Sequence, residues 1–189
     1  MHFTALILLA ASAAAFTIPI GQPDGTYQVF TAPDGTETHT LIKAHVDTRN
    51  TVPGKFDMAH KRTIAAVPAV PAAAGSSVNC GGYPLPHQET DDANNAVDEF
   101  CGGGRSVGKH NDFYSLKGCT VAYFCNYDNG PQSCYASERQ STSRTITDFC
   151  GWYNAGWNNV QTTGRNVQYG YENNCNQGWN FCGCGTDGC

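Results

Sequence analysis

The sequence predicts a small disulfide-rich α+β protein, an α/β sandwich with the split element order β-α-β-β-α-β and a cysteine-rich C-terminal tail. Two observations lead to this fold class. All ten cysteines of the 189-residue chain lie from Cys80 onward, in a stretch the length of one domain. In that stretch, two segments with apolar residues at helical spacing alternate with segments rich in strand-forming residues. We therefore predict one domain over residues 80–189.

Two helices are predicted in this domain. The first begins with Thr90 as its N-cap and ends at the glycines 102–104. The second begins with a capping box formed by Ser137 and Gln140. Apolar residues at helical spacing form the predicted inner faces: Ala93, Val97, Phe100 and Cys101 in the first helix, and Ile146, Phe149, Cys150 and Tyr153 in the second.

Four strands complete the predicted domain, at residues 78–82, 110–116, 120–127 and 166–172. The two middle strands are joined by a tight turn at Lys117-Gly118. In the last strand, Val167, Tyr169 and Tyr171 occupy alternate positions, so they face the same side of the sheet.

The first fifteen residues, 1–15, are typical of a signal peptide. An apolar stretch at residues 3–9 is followed by small residues, with Ala13 and Ala15 at the positions that signal peptidase requires. The apolar stretch is shorter than the roughly 20 residues that a membrane helix needs. We therefore expect a secreted, extracellular protein without a membrane span.

Residues 16–62 are predicted to be a propeptide separate from the domain. The segment contains no cysteine and is balanced in charge, with five acidic and five basic residues before residue 63. It carries the turn sequence Pro-Asp-Gly-Thr twice, at residues 23–26 and 33–36, and the residues between the two turns favour a strand.

The predicted propeptide ends in Lys61-Arg62, the only adjacent basic pair of the chain. Kexin-type proteases of the secretory pathway cut after such pairs. Residues 63–79, which are rich in Ala and Pro, are predicted to form an extended linker. We therefore expect a kexin-type protease as a partner during secretion and a mature protein that begins at Thr63.

The even number of cysteines predicts that all ten are paired, as in secreted domains whose core is too small to be stable alone. The spacing does not fix the pairing, although Cys125 and Cys134 flank one turn and are expected to form a local pair. The segment 182–184, Cys-Gly-Cys, lacks the second ligand pair of a structural zinc site, so we expect no metal and no cofactor. The ten residues are Cys80, Cys101, Cys119, Cys125, Cys134, Cys150, Cys175, Cys182, Cys184 and Cys189.

Charge argues against nucleic acid as a partner. The net charge is −5, and residues 63–189 carry eleven acidic and six basic residues without a basic patch. Phosphate-backbone binding depends on clusters of Lys and Arg.

Catalytic residues are sparse. Residues 63–189 contain two histidines, His87 and His110. Acid–base chemistry needs a carboxylate beside a histidine; Asp112 lies near His110 in sequence, and Glu138 or Glu172 are further candidates in space. No metalloprotease motif of the H-E-x-x-H type is present. We therefore expect a protein that is not an enzyme.

Three tryptophans are the strongest indication of a binding surface. Trp152, Trp157 and Trp179 lie among Asn, Gln and Gly residues. Sugars present apolar faces and fixed hydroxyl groups, which flat rings and amide groups match. The alternative is that these side chains fill the core. We predict a surface cluster, formed by one or more of them, that binds a glycan.

Four stretches of the cysteine-containing region resemble small cysteine-rich secreted proteins of filamentous fungi, many of which are effector candidates. They are residues 93–102 (ANNAVDEFCG), 120–127 (TVAYFCNY), 146–151 (ITDFCG) and 169–173 (YGYEN). In element order, the domain is also similar to the α/β sandwich of the smut killer toxins and related necrosis-inducing fungal effectors. The resemblance implies a fold and transfers no catalytic residue.

Together these observations predict a non-enzymatic effector or toxin-like protein that acts outside the cell, in the apoplast or at a host or competitor surface. One alternative is a module that binds a glycan or the cell wall. A second is a secreted ribonuclease that uses His110.

Overall fold

The structure, a computed structural model, describes residues 15–45, 77–176 and 180–183. Its helices are α1 (His87–Cys101) and α2 (Ala136–Cys150). Its strands are β1 (Gly25–Thr31), β2 (Glu37–Ala44), β3 (Ser77–Pro84), β4 (Arg105–Val107), β5 (Asn111–Lys117), β6 (Thr120–Asn126), β7 (Gln132–Cys134), β8 (Asn154–Thr162) and β9 (Arg165–Asn173). Seven strands form one antiparallel sheet in the order β2-β1-β5-β6-β9-β8-β3, and β4 pairs with β7 in a separate ribbon.

The predicted fold class is confirmed, since two helices and an antiparallel sheet form a disulfide-rich α+β structure. Three strands within the cysteine-containing region were not predicted, the two short strands β4 and β7 and the longer strand β8. β8 lies between β3 and β9, and its Asn- and Gly-containing sequence is not typical of a strand. Pairing on both sides, with Ser77 opposite Asn159 and Trp157 opposite Gly170, decides its conformation.

The predicted helix starts are wrong. α1 begins at His87, and the Thr90 hydroxyl donates to the Pro86 carbonyl oxygen at 2.8 Å inside the first turn, so Thr90 is not a cap. α2 begins at Ala136, and no side chain caps it. Its predicted inner face is also only partly right, because Ile146 is fully buried whereas Phe149 is 74% exposed.

The helices cover one face of the sheet and enclose the first core. Tyr169 and Tyr171 on β9 contribute to this core together with Val167, as their alternation predicted. The helices supply small and branched side chains to it, among them Ala93 and Ile146. Burial of this apolar surface is the main stabilising contribution on this side.

The other face of the sheet carries a second core, to which residues 15–45, here called the N-terminal segment, contribute. β1 pairs with β5 from Gly25 opposite Leu116 to Phe30 opposite Asn111. Phe16 forms a single antiparallel bridge with Phe181. The second core consists of Phe16, Ile18, Tyr27, Val29, Tyr114, Leu116, Val121, Tyr123, Cys125, Phe181 and Cys182.

The described part of the predicted propeptide therefore belongs to the same sheet as the cysteine-containing region, and it is not a separate unit. The folded unit also includes the end of the predicted linker, because β3 begins at Ser77. Lys61 and Arg62 lie outside the described residues, so cleavage after Arg62 stays a prediction.

Four disulfides join the described cysteines: Cys80–Cys150, Cys101–Cys134, Cys119–Cys175 and Cys125–Cys182. The predicted local pair of Cys125 and Cys134 is wrong. Cys125 lies in the second core, whereas Cys134 lies in the first, so the sheet separates them. Cys184 and Cys189 lie outside the described residues. Four disulfides are typical of a protein that folds in an oxidising compartment.

Neither of the two described helices has the length and apolar character needed to cross a membrane.

Candidate functional site

Trp152 is held at the surface by the connection between α2 and β8. It is 79% exposed. Gly151 ends α2 at φ 92°, a conformation that favours glycine, and Tyr153 follows at φ 53°. The Asn154 side chain donates to the Cys150 carbonyl oxygen at 2.8 Å, and the disulfide from Cys150 to β3 fixes the helix end. The tryptophan ring is therefore presented to solvent by a constrained backbone.

Tyr153, the neighbour of Trp152, is fixed by three contacts. Its ring stacks on His87, with ring centroids 3.9 Å apart and planes 17° from parallel. Its hydroxyl donates to the Asp91 carboxylate at 3.2 Å, and its carbonyl accepts from the Leu85 N–H at 2.7 Å. Partial burial and the nearby Asp91 carboxylate raise the pKa of Tyr153, so its hydroxyl remains a donor at neutral pH.

Trp152 and Tyr153 border a groove of about 280 Å³ between the two helices, here called the helix groove. The helix groove is mostly polar. α1 contributes Asp91, Asn94 and Asn95, and α2 contributes Arg139, Ser143 and Thr147.

The one described cation in the helix groove is already neutralised. Arg139 is only 8% exposed, and its guanidinium donates to both carboxylate oxygens of Asp98. It also donates to the side-chain oxygens of Asn94 and Ser143, both at 3.0 Å. The groove therefore offers amides, hydroxyls and the Asp91 carboxylate beside an aromatic ring, without an unpaired positive charge.

Trp157 lies on the opposite face of the sheet, so the structure does not bring it together with Trp152. It lies on β8 and packs against the second core. It borders a cavity of about 510 Å³, here called the sheet cavity, whose wall also includes Tyr83, Tyr123, Glu172 and Asn180. The third predicted binding residue, Trp179, lies outside the described residues.

Glu172 lies in the wall of the sheet cavity with a single described hydrogen-bond partner. It is on β9 and accepts from the hydroxyl of the fully buried Tyr123. Burial raises the pKa of the Glu172 carboxyl above its usual value, and the hydrogen bond from Tyr123 opposes this effect. A Cβ atom at Gly170 would overlap with the Tyr123 hydroxyl, so this glycine allows the tyrosine to reach Glu172.

The carboxylates considered for catalysis have partners other than His110. Asp112 accepts from the Asn126 backbone N–H at 2.8 Å and is 2% exposed. Glu138 binds Arg165 and accepts from the Tyr169 hydroxyl. The structure therefore assembles no described carboxylate and histidine into an acid–base pair at His110, which is exposed.

A cluster of potential metal ligands in the second core cannot bind a metal ion. The Asp112 carboxylate lies within 4.8 Å of the sulfur atoms of Cys125 and Cys182. Those two sulfurs are bonded to each other, so neither is a thiolate ligand.

Sequence reasoning missed most residues of both concave sites. The sequence predicted Asn94 and Asn95 only as part of a helix. Two successive amides on a helix with so few apolar residues could have indicated a polar binding surface. Glu172 and Tyr123 lie on neighbouring strands whose register the sequence does not give.

No protein-family model matches this chain, no curated protein matches it, and no solved structure matches it.

Proposed function

We propose that the protein is a secreted, non-enzymatic effector or toxin-like protein that binds a glycan at a host or competitor surface through the helix groove. One observation carries the proposal. Trp152 is 79% exposed on a constrained backbone, at the edge of a groove lined by amides and hydroxyls. An aromatic ring beside a groove with several polar groups is the combination that ligand-binding sites use.

The chemistry of the groove suits a sugar better than a phosphate or a nucleic acid. An aromatic ring packs against the apolar face of a pyranose, and Asn95 with Asp91 can donate to and accept from its hydroxyl groups. Because Arg139 is already paired with Asp98, the groove has no free described cation for a phosphate.

The effector part of the proposal draws on the sequence resemblance to secreted fungal proteins and on the disulfides. Four disulfides favour an extracellular site of action. The non-enzymatic part draws on the separate partners of Asp112, Glu138 and Glu172.

A glycan array followed by calorimetry on the glycans it identifies tests the proposal. We expect at least tenfold weaker binding by Trp152→Ala and weaker binding by Asn95→Ala, with unchanged thermal unfolding because both residues are exposed. Phe149→Ala is the matched control, since it removes another aromatic ring that is 74% exposed and does not border the groove. Absence of any glycan ligand, or equal affinity of Trp152→Ala, would contradict the proposal.

A further inference from the structure

The sheet cavity has the composition of a binding site that is independent of the helix groove. It lies on the other face of the sheet and has a volume of about 510 Å³, within the range of small-molecule sites. Aromatic side chains from three strands contribute to its wall: Tyr83 on β3, Tyr123 on β6 and Trp157 on β8.

Strand alternation brings one carboxylate into this aromatic setting. On β9, Tyr169 and Tyr171 face the helices, so Gln168, Gly170 and Glu172 face the opposite side. Gln168 accepts from the Tyr127 hydroxyl, whereas Glu172 accepts from Tyr123. Glu172 is thus the acidic group in the wall of the cavity.

Glu172 has no cationic partner among residues 15–45, 77–176 and 180–183. The Tyr123 hydroxyl supplies one hydrogen bond, and a carboxylate can accept several. Removing a carboxylate from water without a counter-charge is costly, and a cation that enters the cavity would offset that cost.

We propose that the sheet cavity binds a small organic ammonium ion. The ammonium group donates to the Glu172 carboxylate, and the apolar part of the ligand packs against Trp157. An ammonium group beside aromatic faces also gains from cation–π attraction, which is larger in a site shielded from water. Neither anions nor neutral sugars would make this charge pair.

Calorimetric titration of the secreted protein with benzylammonium chloride tests this assignment, with benzyl alcohol as the neutral probe of similar shape. We expect saturable binding of benzylammonium and at least tenfold weaker binding of the alcohol. Glu172→Gln should weaken benzylammonium binding at least tenfold, because the amide keeps an acceptor for Tyr123 and loses the charge. Glu99→Gln, which removes a charge from the exposed surface, is the matched control and should bind as the wild type does.

The location of binding gives a second readout that does not depend on the folding of any variant. In NMR titrations of the wild type, benzylammonium should shift the indole N–H signal of Trp157 and leave that of Trp152 unchanged. Shifts elsewhere, equal binding of benzyl alcohol, or no effect of Glu172→Gln would overturn the proposal. Absence of binding would also overturn it.

The glycan proposal and the ammonium proposal can be tested independently of each other. Trp152→Ala should weaken glycan binding at least tenfold and leave benzylammonium binding intact, whereas Glu172→Gln should weaken benzylammonium binding and leave glycan binding intact.

Discussion

The cysteine-containing region and the N-terminal segment belong to one sheet but are stabilised by different means. Four disulfides link residues 77–176 and 180–183 internally, whereas residues 15–45 contain no cysteine. The N-terminal segment is attached by strand pairing, packing and a few polar contacts. A region without disulfides can therefore be as integral to the sheet as a region with four disulfides.

The contacts of the N-terminal segment are concentrated around Tyr114 on β5. The rings of Phe16 and Tyr27 stack against Tyr114, with ring centroids 5.3 Å and 5.1 Å away. His39, between the Tyr114 hydroxyl and the Glu37 carboxylate, adds hydrogen bonds of 3.1 and 3.2 Å. At the other end of β1, Asp24 lies 3.1 Å from the Lys117 ammonium.

The largest expected effect follows from removing the N-terminal segment. A chain that begins at Thr63 should form its disulfides but lose cooperative unfolding, because Phe16, Ile18, Tyr27 and Val29 leave the second core and β5 loses a partner strand. Near-ultraviolet circular dichroism and thermal unfolding measure this loss. Addition of a peptide spanning residues 16–62 should restore the native signal, and a stable native fold without the peptide would contradict the expectation.

Cleavage of the chain after Arg62 tests whether the N-terminal segment stays bound without a disulfide. Strand pairing and packing should hold the two pieces together in native mass spectrometry, and since no disulfide joins them, they should separate in denaturant. N-terminal sequencing should then give Phe16 and Thr63 in equal amounts. Thr63 alone would show that the segment leaves after cleavage.

A single substitution in β1 should reproduce part of this loss. Tyr27 is 3% exposed and its hydroxyl donates to the Pro23 carbonyl oxygen at 2.8 Å, so Tyr27→Ala should cost about 3–5 kcal/mol of unfolding free energy. Phe30 on the same strand is 43% exposed, and Phe30→Ala should cost less than about 1 kcal/mol. Denaturant unfolding measures both, and equal costs would mean that β1 does not contribute to the core through Tyr27.

Asp112, opposite Val29 in the β1–β5 pairing, should make the stability of this junction depend on pH. Burial raises the pKa of its carboxyl to about 7, well above the unfolded value of about 3.9. The folded state therefore binds more protons between these values, and stability falls as the pH rises from about 4 to about 7.

Thermal unfolding of the wild type and of Asp112→Asn at pH 4.5 and pH 8 measures this contribution. The variant should lose less stability than the wild type as the pH rises, by a few kcal/mol at most, since one pKa unit corresponds to about 1.4 kcal/mol. Parallel pH profiles of the two proteins would show that Asp112 is not the titrating group.

The smallest effect is expected from the exposed ion pair between β2 and α1. Lys43 lies 2.6 Å from Glu99, but the side chains are 56% and 66% exposed. Solvent screening limits such pairs, so Lys43→Ala should cost less than about 1 kcal/mol in denaturant unfolding. A larger cost would mean that the N-terminal segment depends on charge as well as on packing.

Local features of the fold could be predicted, and long-range pairing could not. The turn sequence at residues 33–36 does connect two strands, with Gly35 at φ 83° and the Thr36 N–H bonded to the Asp34 side chain at 2.9 Å. The second partner of β1, however, is β5, more than eighty residues later in the chain, and neither composition nor a cysteine indicates that pairing. The basic pair at Lys61-Arg62 instead favoured a boundary between a propeptide and a separate domain.

The candidate site was predictable to a similar extent. The Asn, Gln and Gly residues around the tryptophans predicted that they contribute to a binding surface, and Trp152 is indeed exposed. The sequence could not show that Trp152 and Trp157 lie on opposite faces, because that depends on the unpredicted strand β8. Glu172 had no local signal, since its setting comes from β6 and from the absence of a side chain at Gly170.

The bridge between Phe16 and Phe181 sets the order in which the molecule can be completed. The N–H of each residue donates to the carbonyl of the other at 2.8 Å, and the two residues are separated by most of the chain. The adjacent strands β5 and β6 can pair as soon as both have been synthesised, but the layer containing Phe16 cannot close until Phe181 follows. The second core must therefore be completed late in folding, with the slow kinetics typical of contacts distant in sequence.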